Sequence, residues 1–180
     1  HTSLIAAIIF AVPRLKGQLV DSKQAIKGRN CAELTNHTVP FTKGCANLFA
    51  SHMAVSNKPR MGAGLVIQTA TGLRPSELLN MFEQHVHVPP SSEENIVIRL
   101  GAIVSTKAKR EQFVLVRPEL HKEAHMLLKR LKANTAVGAR IFPYSYWEYR
   151  AMISSIDEEL GLELGVTPHS ARVGFASEAI

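Results

Sequence analysis

The sequence predicts an α+β domain, mostly helical, with one small three-stranded antiparallel sheet. Three observations predict it. Apolar residues recur at helical spacing through most of the chain. The period falls to two only in the middle, where Ile96, Ile98 and Leu100 alternate, as do Val114 and Val116. Glycine and proline punctuate the helical stretches: Gly72, Pro75, Pro118 and Pro168 each stand at an expected helix edge.

The elements follow in order. Residues 3–12 read as a buried helix, Gly17 breaks the pattern, and residues 19–28 form a short helix closing at Gly28. Residues 29–41 hold few apolar side chains and end in Val39-Pro40-Phe41, which marks a linker. The boundary therefore divides residues 1–36 from a second unit, 37–180. Residues 42–57 are expected to be helical, with Leu48, Phe49, Met53 and Val55 as apolar contacts. Residues 62–71 form a nearly all-apolar helix, hence a buried one. Thr71-Gly72 makes a turn, and Pro75 suits the first position of a helix running to about residue 83. Residues 84–88 are a short strand, followed by the strands around Ile98 and Val114. Arg117-Pro118-Glu119 opens a helix to about residue 133, with Leu120, Ala124, Leu127, Leu128 and Leu131 inward. A further helix spans about 145–160. Tyr144, Tyr146, Tyr149, Trp147 and Phe142 are read there as core and packing residues. The last helix opens at Thr167-Pro168-His169.

The bulk numbers narrow the function. The 180 residues carry 21 Lys and Arg against 15 Asp and Glu, a net charge of +6. The excess sits in residues 1–60 and 101–133, with acidic-leaning segments between and after them. Such zoning suggests a surface that faces a polyanion. Two cysteines, Cys31 and Cys45, form no CxxC pair, so free thiols are expected rather than a zinc site. The longest apolar run, Leu4 to Val12, is too short to span a bilayer. No membrane role is expected. The opening residues look like a helix entered midway, which predicts a fragment.

Three clusters could carry chemistry. In Thr71-Gly72-Leu73-Arg74-Pro75-Ser76-Glu77, Arg74 and Glu77 are three apart and share a helix face. An arginine after a tight turn can aim a planar fork of donors at a phosphate, although a surface Arg–Glu pair has the same spacing. In Ser105-Thr106-Lys107-Ala108-Lys109-Arg110-Glu111, a basic tip joins two strands. A lysine there could reach a DNA groove and donate a proton, or simply keep the turn soluble. In Thr167-Pro168-His169-Ser170-Ala171-Arg172, His169 and Arg172 lie in the first turn of a helix. Both can face one ligand, and the unpaired N–H groups of such a turn favour an anion, although a histidine capping its helix beside a surface arginine has the same pattern and is the commoner case for this cluster alone.

Taken in order, Arg…Lys…His-x-x-Arg resembles the tyrosine recombinase, or phage-integrase-like, family. TGLRPSELL is similar to its first arginine motif, STKAKREQFVLV to its β-hairpin lysine segment, and TPHSARVGFASEAI to its His-x-x-Arg box. The resemblance covers roughly residues 38–180. It implies an integrase-like catalytic fold, with residues 1–36 as the end of a core-binding domain and its linker. It further implies Arg74, Lys107, His169 and Arg172 as catalytic residues, with Lys109 the alternative to Lys107, and Glu77 as their support. Lys109, Arg110 and Lys43 are expected to grip DNA backbone. The implied partner is double-stranded DNA inside the cell, bound by a homotetramer, with no cofactor and no metal.

The implied reaction is site-specific recombination through a 3′-phosphotyrosyl intermediate. In the family the nucleophilic tyrosine follows the His-x-x-Arg box by a few tens of residues. Tyr144, Tyr146 and Tyr149 all precede His169. The nucleophile is therefore expected beyond this chain, and the fragment alone is expected to be inactive. Three alternatives stay open: a type IB topoisomerase-like enzyme, a catalytically inactive DNA-binding remnant of a mobile element, and an α+β domain that is basic by chance.

Overall fold

The computed structural model describes residue 11 and residues 38–91, 93–100 and 112–178. The chain divides into two compact units, His1–His37 and Thr38–Ile180, and the account below concerns the second. The helices expected at 3–12 and 19–28 and the basic tip at 105–111 lie outside the described residues.

The second unit opens with α1 (Lys43–Val55), whose cap Thr42 accepts a hydrogen bond from the Cys45 N–H at 3.2 Å. Helix α2 (Pro59–Thr71) starts at a proline and ends at Gly72, which adopts φ +65° as a left-handed cap. Nine of its residues are buried, so it is the central helix. It packs on α1, on α4 (Lys122–Ala133) and on α6 (Ser170–Glu178). Close approach to α1 depends on Gly62, where a Cβ would lie 2.5 Å from the Ala50 carbonyl oxygen.

Short helix α3 (Pro75–Leu79) leads through a 3-10 turn, Glu83–His85, into the sheet. The sheet runs β1 (Val86–His87), β2 (Ile96–Leu100), β3 (Gln112–Val116), antiparallel throughout. Ile96 pairs with Val116 and Leu100 with Gln112. This register puts Val86, Ile96, Ile98, Leu100 and Val116 on the core face. Helix α5 (Tyr146–Glu159) is closed by a reciprocal box: Ser145 N–H donates to Glu148, and Glu148 N–H donates to Ser145 Oγ. The core joins these elements through Phe41, Phe49, Met53, Leu65, Ile67, Leu78, Phe142, Tyr149 and Ile153.

The mostly helical α+β class with a three-stranded antiparallel sheet is therefore observed. Several details differ from expectation. The helix expected over 75–83 stops at Leu79, because Asn80 leaves helical geometry and the chain then forms the 3-10 turn. That turn consumes the first residues of the strand expected at 84–88. The helix expected from Arg117 begins at Lys122, after a turn closed by His121 N–H to Arg117 O at 2.9 Å. Leu120 precedes the helix and is exposed. Leu48 and Val55 are also exposed, since α1 turns Ala46, Phe49 and Met53 inward instead. Trp147 is 72% exposed at the first turn of α5, where Tyr149 takes the inward position. No helix among the described residues is long and apolar enough to cross a membrane.

Candidate active site

The site is built where α2 ends. Gly72 turns the chain out of the buried helix, and Leu73, 1% exposed, pins the following backbone into the core. Arg74 comes next as the N-cap of α3, in extended geometry. Its backbone N–H donates to Glu77 Oε2 at 2.7 Å and its Nη1 to Oε1 at 2.7 Å. One carboxylate thus fixes both ends of the arginine. Glu77 is buried while the Arg74 side chain stays partly open. Part of the guanidinium fork is left for an external anion.

Arg172 arrives from α6. Its Nη1 donates to the Gly72 carbonyl oxygen at 2.6 Å. Arg74 and Arg172 line the same cleft of about 370 Å³, with Gly72, Glu77, Leu100, Gln112, Val114 and Phe175. Two cations lining one cleft raise the local positive potential, which favours an anion there. Leu100 and Gln112, the facing ends of β2 and β3, form another part of its lining. The chain between them, residues 101–111, carries Lys107, Lys109 and Arg110, which lie outside the described residues.

His169 sits in the turn before α6. Its carbonyl oxygen accepts from Arg172 N–H at 3.1 Å, its side chain is exposed, and it is not among the cleft's lining residues. Lys43 is elsewhere. It is exposed, 3.7 Å from Glu123, on a separate cavity of about 340 Å³ that shares Phe175 with the arginine cleft. The structure therefore brings Arg74, Glu77 and Arg172 together and leaves His169 beside them and Lys43 apart. No three His, Cys, Asp or Glu side chains among the described residues are grouped to hold a metal ion. Cys45 is a free thiol pushed up in pKa by burial and by the carboxylate of Asp157.

Sequence reasoning passed over Gln68. It is fully buried in α2. Its Nε2 donates to the carbonyl oxygens of Leu73 at 3.1 Å and Pro168 at 3.0 Å. Its Oε1 accepts from the Tyr149 hydroxyl at 2.9 Å. Tyr149, expected from the sequence to pack in the core, is buried there and also makes this polar bond. The available signal was a single amide inside an otherwise apolar helix, since such a group must find partners there.

Comparison with known proteins gives the fold a setting. No family model matches the sequence, and no curated protein matches it. Among solved structures, the fold is similar to the Tn1549 transposon integrase, residues 82–397, in complex with circular intermediate DNA. That match has a TM-score of 0.56 and 17% identity over 81% of this chain and 53% of the other. The R225K form of the same integrase matches at TM-score 0.58 and 16% identity, over 81% of this chain and 54% of that one. XerA recombinase matches at TM-score 0.55 and 20% identity, over 95% of this chain and 64% of that one. The chain spans about half to two thirds of the length of these structures. The integrase-like fold expected from the three motifs is the fold observed.

Proposed function

We propose, starting from that integrase-like fold, that the chain is the catalytic domain of a DNA strand transferase of the tyrosine recombinase type. The observation that carries this reading is the shared cleft: Arg74 and Arg172, far apart in sequence, open onto one space with room for a phosphodiester. The DNA-bound integrase neighbours support double-stranded DNA as the partner.

In this reading a phosphodiester enters the cleft. A tyrosine hydroxyl from beyond residue 180 attacks phosphorus, forming the 3′-phosphotyrosyl bond and breaking the bond to the 5′-oxygen. Arg74 and Arg172 hold the non-bridging oxygens as negative charge grows on them, as preorganised donors do best. Lys107 protonates the departing 5′-oxygen. His169 hydrogen-bonds the phosphate and helps take the proton from the nucleophile. Glu77 keeps Arg74 in place through the two bonds already described. Attack by a second strand's 5′-hydroxyl reverses the step and returns the tyrosine. Lys109, Arg110 and Lys43 add backbone contacts, residues 1–36 belong to a core-binding domain and linker, and the complete protein acts as a tetramer on DNA inside the cell.

The test is covalent capture. The complete protein should become linked to a duplex it binds, and Arg172→Ala should abolish the linkage while its melting temperature stays within a few degrees. Linkage that survives Arg172→Ala overturns the site. DNA binding without linkage in the wild type makes the protein a binding remnant, and supercoil relaxation without strand exchange makes it topoisomerase-like.

A further inference from the structure

The two arginines come from segments that do not pack through their own side chains alone. Arg74 follows Leu73, and His169 and Arg172 follow Pro168. Both preceding carbonyl groups, Leu73 O and Pro168 O, point at one buried atom, Gln68 Nε2. An amide nitrogen has two hydrogens, and here each is given to one segment. The remaining end of the amide, Oε1, takes the Tyr149 hydroxyl proton at 2.9 Å. Gln68 is 0% and Tyr149 1% exposed, so water does not compete for these bonds. Burial drives the Tyr149 hydroxyl pKa well up, and it remains a neutral donor.

We propose that Gln68 is a positioning residue for the strand-transfer reaction: its amide sets the spacing between the Arg74 and Arg172 segments, and Tyr149 fixes the orientation of that amide. The inference rests on the strand-transferase reading above. Its chemistry is specific. Reversing the amide would aim Oε1 at two carbonyl oxygens, which repel it, so only one orientation satisfies all partners. Tyr149 donates to Oε1 and thereby locks that orientation from α5. A glutamate has nearly the same shape but, when ionised, no donor to offer. A methionine fills the volume and offers neither donor nor strong acceptor. Without the two bonds, Leu73 O and Pro168 O are released, and the segments that carry the arginines can separate by on the order of 1 Å. Displacement of catalytic groups by about 1 Å costs roughly a hundredfold in rate.

The experiment uses the complete protein and a duplex selected by the wild type for binding. Single-turnover covalent attachment is measured at saturating DNA, well below each variant's own melting temperature. Gln68→Met is expected to attach roughly a hundredfold more slowly, with its DNA dissociation constant unchanged within about threefold. Gln68→Glu should be no faster than Gln68→Met. Tyr149→Phe keeps both donors but frees the amide to rotate, and should fall between Gln68→Met and wild type.

A second substrate carries sulfur in place of the leaving 5′-oxygen. A thiolate departs without a proton donor, so this substrate reports arginine geometry with the acid step removed. The slowing in Gln68→Met should persist on it. Wild-type rate in Gln68→Met overturns the proposal, as does recovery on the sulfur substrate, which would place the defect in proton donation. Loss of affinity in step with rate also overturns it, since that is the signature of a merely structural role. Should Gln68→Met fail to fold, full rate in Tyr149→Phe overturns it instead. A wild type that never attaches to DNA refutes the strand-transferase reading itself, and this inference falls with it. An active wild type with an unaffected Gln68→Met leaves that reading standing and removes the inference alone.

Discussion

Single residues carry the precision of this site, and Gly72 shows how little slack there is. It caps α2 at φ +65°, offers its carbonyl to Arg172, and has Phe175 packed where a side chain would begin. A Cβ there would lie 2.4 Å from the Phe175 ring. Gly72→Ala should therefore combine left-handed strain with overpacking and cost about 2–4 kcal/mol of stability, measured by urea unfolding. A loss below 0.5 kcal/mol, on the order of an ordinary surface change, would mean that Phe175 simply moves aside. Glu77 makes a different point. A buried carboxylate is tolerable because both oxygens are engaged by one neighbour, and the same bonds aim that neighbour at the cleft.

Helices and strands place these residues, and α5 places the Tyr149 end of the amide clamp. Its start depends on Ser145 and Glu148, which cap each other across the first turn. Ser145→Ala should lower stability by about 1 kcal/mol in a thermal melt, as loss of an N-cap does. The Ser145 backbone N–H, and after it the Ser145 hydroxyl, hold the Glu148 carboxyl below its usual pKa. A carboxyl with a depressed folded pKa stabilises the fold above its unfolded pKa, and the contribution disappears as pH falls through the folded value. The gap between wild type and Glu148→Gln should accordingly narrow on the acid side of the ordinary carboxylate range, and a gap constant down to pH 2 would exclude the carboxylate as its source. What the sequence revealed follows from locality. Arg74 and Glu77 were legible as a pair because they are three apart in one turn; His169 and Arg172 have the same spacing, but only Arg172 lines the cleft. Gln68 was not, since its partners stand at residues 73, 149 and 168 and only the fold unites them. Leu48, Val55 and Trp147 misled because helical spacing alone does not say which of two apolar rows meets the core.

At the scale of the whole molecule, charge sets the expected sensitivity to salt. The excess of six positive charges is concentrated in two stretches of sequence. Proteins that neutralise about 6–10 phosphates lose roughly a thousandfold or more in DNA affinity between about 50 and 200 mM salt. A comparable slope is expected in a fluorescence-anisotropy titration of the complete protein, and a flat response would remove the polyanion-facing surface from the account. The entry of the chain into the unit adds a mechanical property. Phe41 donates its backbone N–H to Ser170 O at 3.0 Å, and its carbonyl oxygen lies where a Cβ of Gly174 would be, at 1.9 Å. The backbone at residue 41 is thus clamped along α6, the helix that bears Arg172. The entering segment holds that helix as a tiller does, and in the strand-transferase reading a pull on it shifts the aim of Arg172.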